Sequence, residues 1–393
     1  MILRARPKFL VEDFFNYQPC QTPSEGMYFN YGRTALAFLL QIYSTYKNKK
    51  LKVGIQSFNC EVSAWAVLVT HNDLHLFDIK KEDFSLDLNS FIKNNIYLDV
   101  LVLTHYQGIP NIEYKEVVEY CASNNILLID DVAQTEYSYF DGELVGTLAD
   151  FSIHSFSFDK PYTTWTGGEL KIQKCQDEIL ISLLKEKYST LKFEEIKKEF
   201  LDIKLLHFLW IYSDLNKFHV KLNNRYLLRL CINWHISFKW INRLMIFFPK
   251  KIVSVLNRVV YKFQLPRIQI ERLGNMKIAL LKRQQQMSLR KLEYVIPQEI
   301  ARGKELFYKD SSFINWDRYS VLDEKGEMKK ALLRKGIEVG NYNWPEPLDV
   351  KFKGCCHVFL HGNYEITHYV AKNVINIPIW PYLKIYGEQE EVH

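Results

Sequence analysis

The chain has 393 residues, of which 48% are hydrophobic and 15% aromatic, and its formal net charge is +6. A chain of this size and composition buries a sizeable core, which excludes a disordered or fibrous protein and favours one large domain with a smaller one. The charge is spread over a long chain, so it indicates no nucleic-acid partner.

The cysteines and the first residues bear on the cellular compartment. Seven cysteines without a C-x-x-C pair are typical of reduced thiols rather than of a disulfide framework. Charges interrupt the apolar run of "MILRARPKFLVEDFF", so the secretory type of leader is not expected, and no run reaches the length of a membrane span. The sequence therefore predicts a cytoplasmic protein.

The first apolar helix begins at a glycine. In "FNYGRTALAFLL", Gly32 stands where the apolar run starts. Backbone N–H groups and the helix dipole make such a helix start a seat for a phosphate, and glycine allows close approach of a ligand. A glycine that merely permits a tight turn between a strand and a helix is the alternative.

Residues 26–175 alternate between strands and helices. The apolar runs "VGIQSF", "DVLVLTH" and "ILLIDD" are short, and a helical stretch with Val117, Val118 and Cys121 on one face lies between the last two. This βαβ pattern predicts an α/β fold with a mainly parallel sheet between helices. Ligands bind beyond the carboxyl ends of such strands, so the polar residues that close the runs are site candidates: Ser57, Asn59, His105, Gln107, Asp130 and Asp131.

The stretch "LLIDDVAQ" places two carboxylates at the end of a buried strand. Carboxylates are costly to bury unless a positive or hydrogen-bonding group meets them. A protonated heterocyclic nitrogen, a metal ion or a nearby helix N-terminus would each satisfy this requirement.

The stretch "SFSFDKPYTTWTGG" places Lys160 after an apolar strand and before two glycines. Desolvation among the neighbouring aromatic residues would favour the free amine, which is a nucleophile for a carbonyl. A surface lysine on a loop is the alternative. A phosphate seat, a strand-end carboxylate and a lysine, in this order on one α/β domain, are the groups that pyridoxal 5'-phosphate (PLP) requires.

These motifs resemble, in chain order, those of the DegT/DnrJ/EryC1/StrS aminotransferases, PLP enzymes of fold type I that mostly act on nucleotide-linked keto sugars. "YGRTALAFLL" is similar to S-G-T-x-A-L, "QSFNCEVSAWAV" to P-S-F-x-x-x-A-x-A-V, "LTHYQGIP" to V-H-x-x-G-x-P and "IDDVAQ" to E-D-A-A-Q. "SFSFDKPYTTWTGG" is similar to S-F-x-x-x-K-x-x-T-T-x-x-G-G without a gap. "GIEVGNYNWPEPL" and "INIPIWPYL" are similar to two segments near the family's C-terminus.

The resemblance implies a mainly parallel sheet of the seven-stranded type, a smaller C-terminal α+β domain and a homodimer. It implies that Lys160 bonds the cofactor aldehyde and moves the substrate proton, and that Asp131 pairs with the pyridinium nitrogen. The residues that it assigns to PLP binding are Gly32, Arg33, Thr34, Cys60, Asp131, Gln134 and Ser155. His105, Tyr106 and Trp344 are assigned to the substrate side, and no metal ion is expected.

The implied activity is a ping-pong transfer of an amino group, commonly from glutamate, to a nucleotide-linked keto sugar in the synthesis of polysaccharides such as O-antigen or of glycoconjugates. A homologue that acts as a binding or scaffolding protein in the same pathway is the alternative. A PLP-dependent dehydratase is a second alternative, but such members usually carry histidine where this chain has Lys160.

The chain departs from the family pattern at four places. Arg33 stands where a small hydroxyl residue is usual, and Cys60 where many members have an aromatic residue over the cofactor ring. The family's N-x-R segment, whose asparagine reaches the partner subunit's cofactor, corresponds to residues 265–267, which read L-P-R, and Asp349 replaces a common histidine. The resemblance therefore implies retained catalytic residues and divergent substrate contacts.

Three domains are predicted: a cofactor-binding domain over 1–175, a helical insertion over 176–265 and a C-terminal domain over 266–393. In the insertion, residues 204–262 are basic and interleaved with aromatic residues. This composition suits weak association with an anionic membrane surface or binding of a diphosphate, and equally helices that pack on the large domain or extend a dimer interface. After the insertion, Arg267–Lys291 is predicted as one long helix, and "GIEVGNY" and "NVINIPI" as strands.

The stretch "CCHVFLH" contains two cysteines and two histidines. Their spacing matches no usual zinc site, so a buried strand with two thiols and a solvent-facing histidine is the favoured interpretation.

Overall fold

The computed structural model describes residues 26–157, 160, 162–217, 268–288, 318–334, 339 and 344–378. Its strands are β1 (Met27–Phe29), β2 (Lys52–Gln56), β3 (Asp73–Phe77), β4 (Val100–Thr104), β5 (Leu127–Asp131), β6 (Tyr139–Phe140), β7 (Glu143–Leu144), β8 (Phe151–Ser155), β9 (Gly168–Ile172), β10 (Arg318–Leu322), β11 (Val358–His361) and β12 (Val374–Pro378). Its helices are α1 (Gly32–Lys47), α2 (Glu61–Val69), α3 (Leu88–Lys93), α4 (Tyr114–Ser123), α5 (Glu178–Thr190), α6 (Ile196–Lys217), α7 (Asn275–Ser288), α8 (Glu327–Arg334), α9 (Leu348–Lys351) and α10 (Glu365–Asn373).

A mainly parallel sheet forms the centre of the described structure. Its strand order is β1-β9-β8-β5-β4-β2-β3-β11, and within it β9 runs antiparallel to both of its neighbours. The other neighbouring pairs are parallel. This confirms the predicted α/β class with a mainly parallel sheet.

The side chains of the central strands alternate between the two faces of the sheet. In β4, Val100 and Val102 join the core formed with α1, α2 and α5, whereas Leu101 and Leu103 join the core formed with α3 and α4. Successive residues of a strand point to opposite faces, so a run that is apolar throughout becomes a strand buried on both sides. The continuous run "VLVLT" therefore specifies a central position in the sheet.

The sheet has eight strands in the described structure, whereas the resemblance implied seven. The eighth, β11, pairs in parallel with β3 and comes from a segment that the sequence assigned to the C-terminal domain. The two cysteines of "CCHVFLH" precede this strand, and Cys356 is exposed, so the prediction of a strand with two buried thiols is wrong. His357 is exposed, as predicted.

A small antiparallel unit is formed by β10 and β12, so the predicted strand "NVINIPI" is confirmed. Its apolar side chains, Tyr319, Val321, Ile375 and Ile377, pack against Trp344 and against residues that follow β2 and β4. The predicted strand "GIEVGNY" lies almost wholly outside the described residues. The small unit therefore lies against the carboxyl ends of the central strands.

The helix predicted over Arg267–Lys291 begins only at Asn275. Residues 268–274 are extended instead, because Arg272 bridges to both Phe29 and Phe193 and the Leu273 N–H donates to the Tyr28 carbonyl over 3.1 Å. Tertiary pairing with β1 thus overrides the local helical pattern.

The described part of the insertion, residues 176–217, packs on the large domain. Leu180 and Leu184 of α5 join the core beside α1, and Leu206 of α6 packs against Leu281 of α7. Most of the predicted membrane-associating stretch, residues 218–262, lies outside the described residues. In the part of the chain that the structure describes, no helix has the length and apolar character needed to cross a membrane.

Candidate functional site

Two aspartates end β5, and Asp130 belongs to the core. It is fully buried, accepts a hydrogen bond from the Tyr114 hydroxyl and lies 3.4 Å from Nε2 of His105. Burial, and then the charge of Asp130, raise the pKa of Tyr114. The carboxylate is therefore occupied by packed side chains, and the function that was predicted for Asp131 does not extend to it.

Asp131 faces a different environment. Its carboxylate accepts a hydrogen bond from the Ala133 N–H at 3.1 Å and one from the Thr104 hydroxyl at 3.3 Å. Burial raises the pKa of this carboxyl, and the Ala133 N–H, the charge of half-buried Lys160 and the Thr104 hydroxyl oppose that rise. Because the ionised carboxylate is poorly solvated there, a protonated ring nitrogen would stabilise it.

A hydrogen-bonded chain links Asp131 to the neighbouring strand ends. The Asn59 side-chain amide donates to Thr104 Oγ1 over 2.8 Å, and that hydroxyl donates to Asp131. These residues follow or end β2, β4 and β5. Although β2 and β4 are parallel neighbours, the order in which strands are added changes direction between them, with β3 on one side of the pair and β5 on the other. Sites of α/β proteins lie at such switch points. Thr104 was missed from sequence, although it closes its apolar run in the same way as the residues that were named.

The start of α1 meets the end of β8 and the start of β9. A Cβ on Gly32 would lie 3.0 Å from the His154 carbonyl oxygen and 3.2 Å from Ser155 Cβ, and a Cβ on Gly168 would lie 2.2 Å from the Gly32 nitrogen. The first N–H groups of a helix have no partner within it. Half-buried Ser155 adds a hydroxyl group, which lies 3.3 Å from the hydroxyl of Ser157. Ser157 is a second residue that the sequence did not indicate. This cradle has the donors and dipole that a phosphate requires.

The next two residues of α1 contribute differently. The Thr34 hydroxyl accepts a hydrogen bond from the Tyr31 N–H at 3.1 Å and lies 2.7 Å from both Asn30 Oδ1 and the Tyr31 carbonyl. That hydroxyl caps the helix, so the backbone N–H is the group with which Thr34 can bind a phosphate. The guanidinium of Arg33 lies 4.0 Å from the centre of the Tyr31 ring, which adds a positive charge at the helix start.

Gln134 and Cys60 were predicted at the cofactor ring. Gln134 is buried on the loop after β5, and its Oε1 has no hydrogen-bond partner among the described residues. A buried amide oxygen without a partner fits a donor on a bound molecule. Cys60 is half-buried at the start of α2, and its N–H donates to Asn59 Oδ1. A thiol cannot replace the stacked aromatic ring, so its contact with the cofactor stays a prediction.

The three residues predicted on the substrate side are buried. His105 is inaccessible, and its Nδ1 accepts a hydrogen bond from the Asn111 N–H at 3.0 Å, so its Nε2 carries the hydrogen that faces Asp130. The rings of Tyr106 and Trp344 lie 4.7 Å apart in the core of the small unit. This geometry agrees with the packing alternative for His105, and the substrate contacts of all three stay predictions.

Asp349, where the resemblance expects a histidine, joins three parts of the fold. Its buried carboxylate accepts a hydrogen bond from Ser57 Oγ at 2.5 Å, and its other oxygen lies 2.7 Å from Nε2 of His368. Ser57 follows β2, and His368 lies on α10. A histidine is thus present beside position 349, supplied by another helix.

Comparison with known proteins connects this geometry to a family. Residues 26–185 match the model of the DegT/DnrJ/EryC1/StrS aminotransferase family. Over 110 residues, the chain is 32% identical to the UDP-4-amino-4,6-dideoxy-N-acetyl-beta-L-altrosamine transaminase of Campylobacter jejuni. That match covers 27% of this chain and 29% of the transaminase, so the chain spans less than a third of this curated relative.

Solved structures show the same fold over nearly the whole chain. The sugar aminotransferase CalS13 from Micromonospora echinospora superimposes with a TM-score of 0.61 at 13% identity, and covers 96% of this chain and 95% of its own. The E. coli GDP-4-keto-6-deoxy-D-mannose-3-dehydratase with bound hydrated PLP gives a TM-score of 0.57 at 15% identity, and covers 91% and 84%. The fold is therefore shared by transaminating and dehydrating enzymes, and the side chains must decide between them.

Proposed function

We propose that the protein is a PLP-dependent aminotransferase of the DegT/DnrJ/EryC1/StrS family, whose model matches residues 26–185. It transfers an amino group from glutamate to a nucleotide-linked keto sugar in the synthesis of surface polysaccharide or glycoconjugate. We place it in the cytoplasm, where nucleotide sugars are made, and as a homodimer. The observation that carries the proposal is the buried carboxylate of Asp131, which lies near enough to Lys160 for the positive charge to oppose the rise in its pKa.

The residues present fit PLP. The cradle at Gly32 and Ser155 suits the phosphate. A Cβ on neighbouring Gly168 would lie 2.2 Å from the Gly32 nitrogen, so a side chain there would disturb the cradle. The desolvated carboxylate of Asp131 suits a protonated pyridine nitrogen, and the amide of Gln134, whose oxygen has no partner among the described residues, suits a polar group on the ring. When bound, PLP supplies an electron sink for the carbon next to the transferred nitrogen.

Each side chain then has a defined task. Asp131 holds the ring nitrogen in its protonated form, and Thr104 and Asn59 hold Asp131 in place. Lys160 would supply the amine that bonds the cofactor aldehyde and the base that moves the proton at the substrate carbon. The N–H groups at the start of α1 would hold the phosphate.

Lys160 also distinguishes transamination from dehydration. An amine is needed to return a proton to the substrate carbon and to release the aminated product. The family members that dehydrate usually have histidine at this position, as the sequence comparison above implied. The presence of lysine in this chain therefore favours amino transfer.

A spectrum tests the proposal. Purified protein mixed with PLP should show the visible absorption of a lysine-linked cofactor and lose it on addition of glutamate, and a keto sugar carrying UDP, GDP or thymidine diphosphate should restore it. Product mass after supply of glutamate with isotopically labelled nitrogen identifies the sugar. Lys160→Ala should lose the absorption, whereas Lys174→Ala, at an exposed lysine just beyond β9, should keep it. A parent protein without visible absorption would support the binding or scaffolding alternative instead.

A further inference from the structure

The proposed catalytic lysine stands on a loop between β8 and β9, here called the lysine loop and defined as Lys160 together with residues 162–167. Its base is closed by hydrogen bonds from the Phe156 N–H to the Gly167 carbonyl at 2.9 Å and from the Thr164 N–H to the Phe156 carbonyl at 3.1 Å. These bonds fix the ends of the loop on the sheet. Two further anchors come from α7, more than 100 residues later in the chain.

The amide of Gln284 holds the backbone of one loop residue, Thr163, at two points. Its Oε1 accepts from the Thr163 N–H at 2.8 Å, and its Nε2 donates to the Thr163 carbonyl at 2.6 Å. Gln284 and Thr163 are both fully buried, so neither bond competes with water. Two antiparallel bonds to one residue set the orientation of the backbone as well as its position, as in a strand pair.

The ammonium of Lys277 holds a second point of the loop. It lies 2.8 Å from Thr166 Oγ1, 2.5 Å from Asp202 and 2.9 Å from Glu194, and neither the ammonium side chain nor the two carboxylates are accessible to water. The Thr166 hydroxyl also donates to Asp202 over 3.1 Å. A buried cation needs such partners, and here one partner is the loop itself.

Residues 277 and 284 lie two helical turns apart, so both side chains point from the same face of α7 toward the loop. The start of that helix is in turn fixed by two glutamates of the α6 region. Glu199 accepts from the Lys277 N–H at 3.0 Å, and Glu194 accepts from the Gly274 N–H at 3.1 Å. Contacts outside the lysine loop therefore hold the start of α7 in place.

Between the two anchor points, the loop adopts a costly backbone conformation. Trp165 has a φ of 72°, in the left-handed region that side chains other than those of glycine, asparagine and aspartate rarely occupy. Such a conformation persists where its surroundings hold it on both sides. Thr163 and Thr166, the residues that α7 binds, flank Trp165.

We infer that Gln284 and Lys277 are positioning residues for Lys160: through Thr163 and Thr166, α7 sets where the lysine amine stands relative to Asp131. This inference rests on the proposed function. It assigns to the region after residue 185, where the family match ends, a direct part in the geometry of catalysis.

The test removes the hydrogen bonds and keeps the volume. Gln284→Met replaces the amide by an apolar side chain of similar shape, and Thr166→Val removes the hydroxyl of the second contact. Gln173→Met is the control, because within the described residues its side chain donates to Ser152 in β8 and its N–H donates to the Asp150 carbonyl, both away from the lysine loop. Because Gln284→Met and Thr166→Val remove different contacts, the inference can still be tested if one of the two variants does not fold.

Each variant is loaded with PLP, and three quantities are measured: the rate at which glutamate removes the visible absorption, the pH midpoint of that absorption, and the thermal midpoint. A misplaced amine should slow the reaction about 10- to 100-fold in Gln284→Met and Thr166→Val and move the pH midpoint, with the cofactor still bound. Gln173→Met should change only the thermal midpoint.

The outcomes separate the two proposals. If the parent protein is coloured and reactive but Gln284→Met and Thr166→Val react within about twofold of Gln173→Met with the same pH midpoint, α7 stabilises the fold without positioning the lysine, and the inference is wrong. A parent protein that shows no visible absorption refutes the proposed function, and the positioning role with it.

Discussion

The histidine pair between β3 and β11 makes the free energy of unfolding sensitive to acid. His75 is buried on β3, and its Nδ1 lies 2.9 Å from Nε2 of His361 on β11. Its ring stacks on Phe359 at 4.8 Å, and its Nε2 has no hydrogen-bond partner among the described residues. Burial, and then the neighbouring His361, lower the pKa of His75 to about 4.

The sign and size follow from that value. In the unfolded chain His75 binds a proton below about pH 6.5, whereas in the folded protein it does so only below about 4. The contribution of His75 to the free energy of unfolding is thus highest above pH 6.5 and falls as the pH is lowered toward 4. At about 1.4 kcal/mol for each pKa unit, the fall amounts to about 3 kcal/mol.

His75→Phe removes the titrating group and keeps a ring in the stack with Phe359. Urea unfolding followed by tryptophan fluorescence, at a series of pH values between about 7 and 4, should show a fall that is smaller than in the parent protein by about 3 kcal/mol. His71→Asn, at an exposed histidine in the turn before β3, is the control variant. Equal pH dependence of His75→Phe and the parent protein would refute the assignment.

Three further predictions concern single side chains. Burial raises the pKa of Asp83 to about 6, so the folded state binds its proton more tightly, and the contribution of this carboxyl to the free energy of unfolding falls as the pH rises from about 4 to 6; Asp83→Asn should remove this contribution, up to about 3 kcal/mol, in urea titrations. Gly168→Ala should lower the thermal midpoint, because the added methyl group would lie 2.2 Å from the Gly32 nitrogen, and an unchanged midpoint would contradict that close approach. Asp131→Asn should slow the reaction with glutamate by about 10²-fold or more, since the ring nitrogen loses its anionic partner, whereas a rate near that of the parent would remove Asp131 from the mechanism.

Short-range patterns predicted the part of the fold that carries the site. The alternation that makes β4 a central strand, and the polar residue that closes each run, are local properties of the sequence. Lys160 and Asp131 come together because they follow strands of one parallel sheet, and this is why their order along the chain was informative. Thr104 and Ser157 escaped notice because a hydroxyl is common at a strand end and in a loop.

Contacts between distant segments could not be predicted. Gln284 and Thr163 are 121 positions apart. No local sequence pattern connects the side-chain amide of a helix residue to the backbone of one loop residue. Arg272 belongs to a helical pattern, but pairing with β1 holds it extended. Asp349 is a departure from the family pattern that the sequence reveals. Its hydrogen bond with Ser57, 292 positions away, forms only in the assembled fold and has no local signal.

Strand β3 receives its outer neighbour from a segment that the ribosome makes much later. His75 and His361, which meet across that pairing, are 286 positions apart. Until β11 has been made, the nascent β3 presents unpaired backbone N–H and C=O groups, which are a template for association with another chain. The closure of so long a loop is also slow. Docking of Val358–His361 therefore covers the backbone groups of β3 on this side of the sheet.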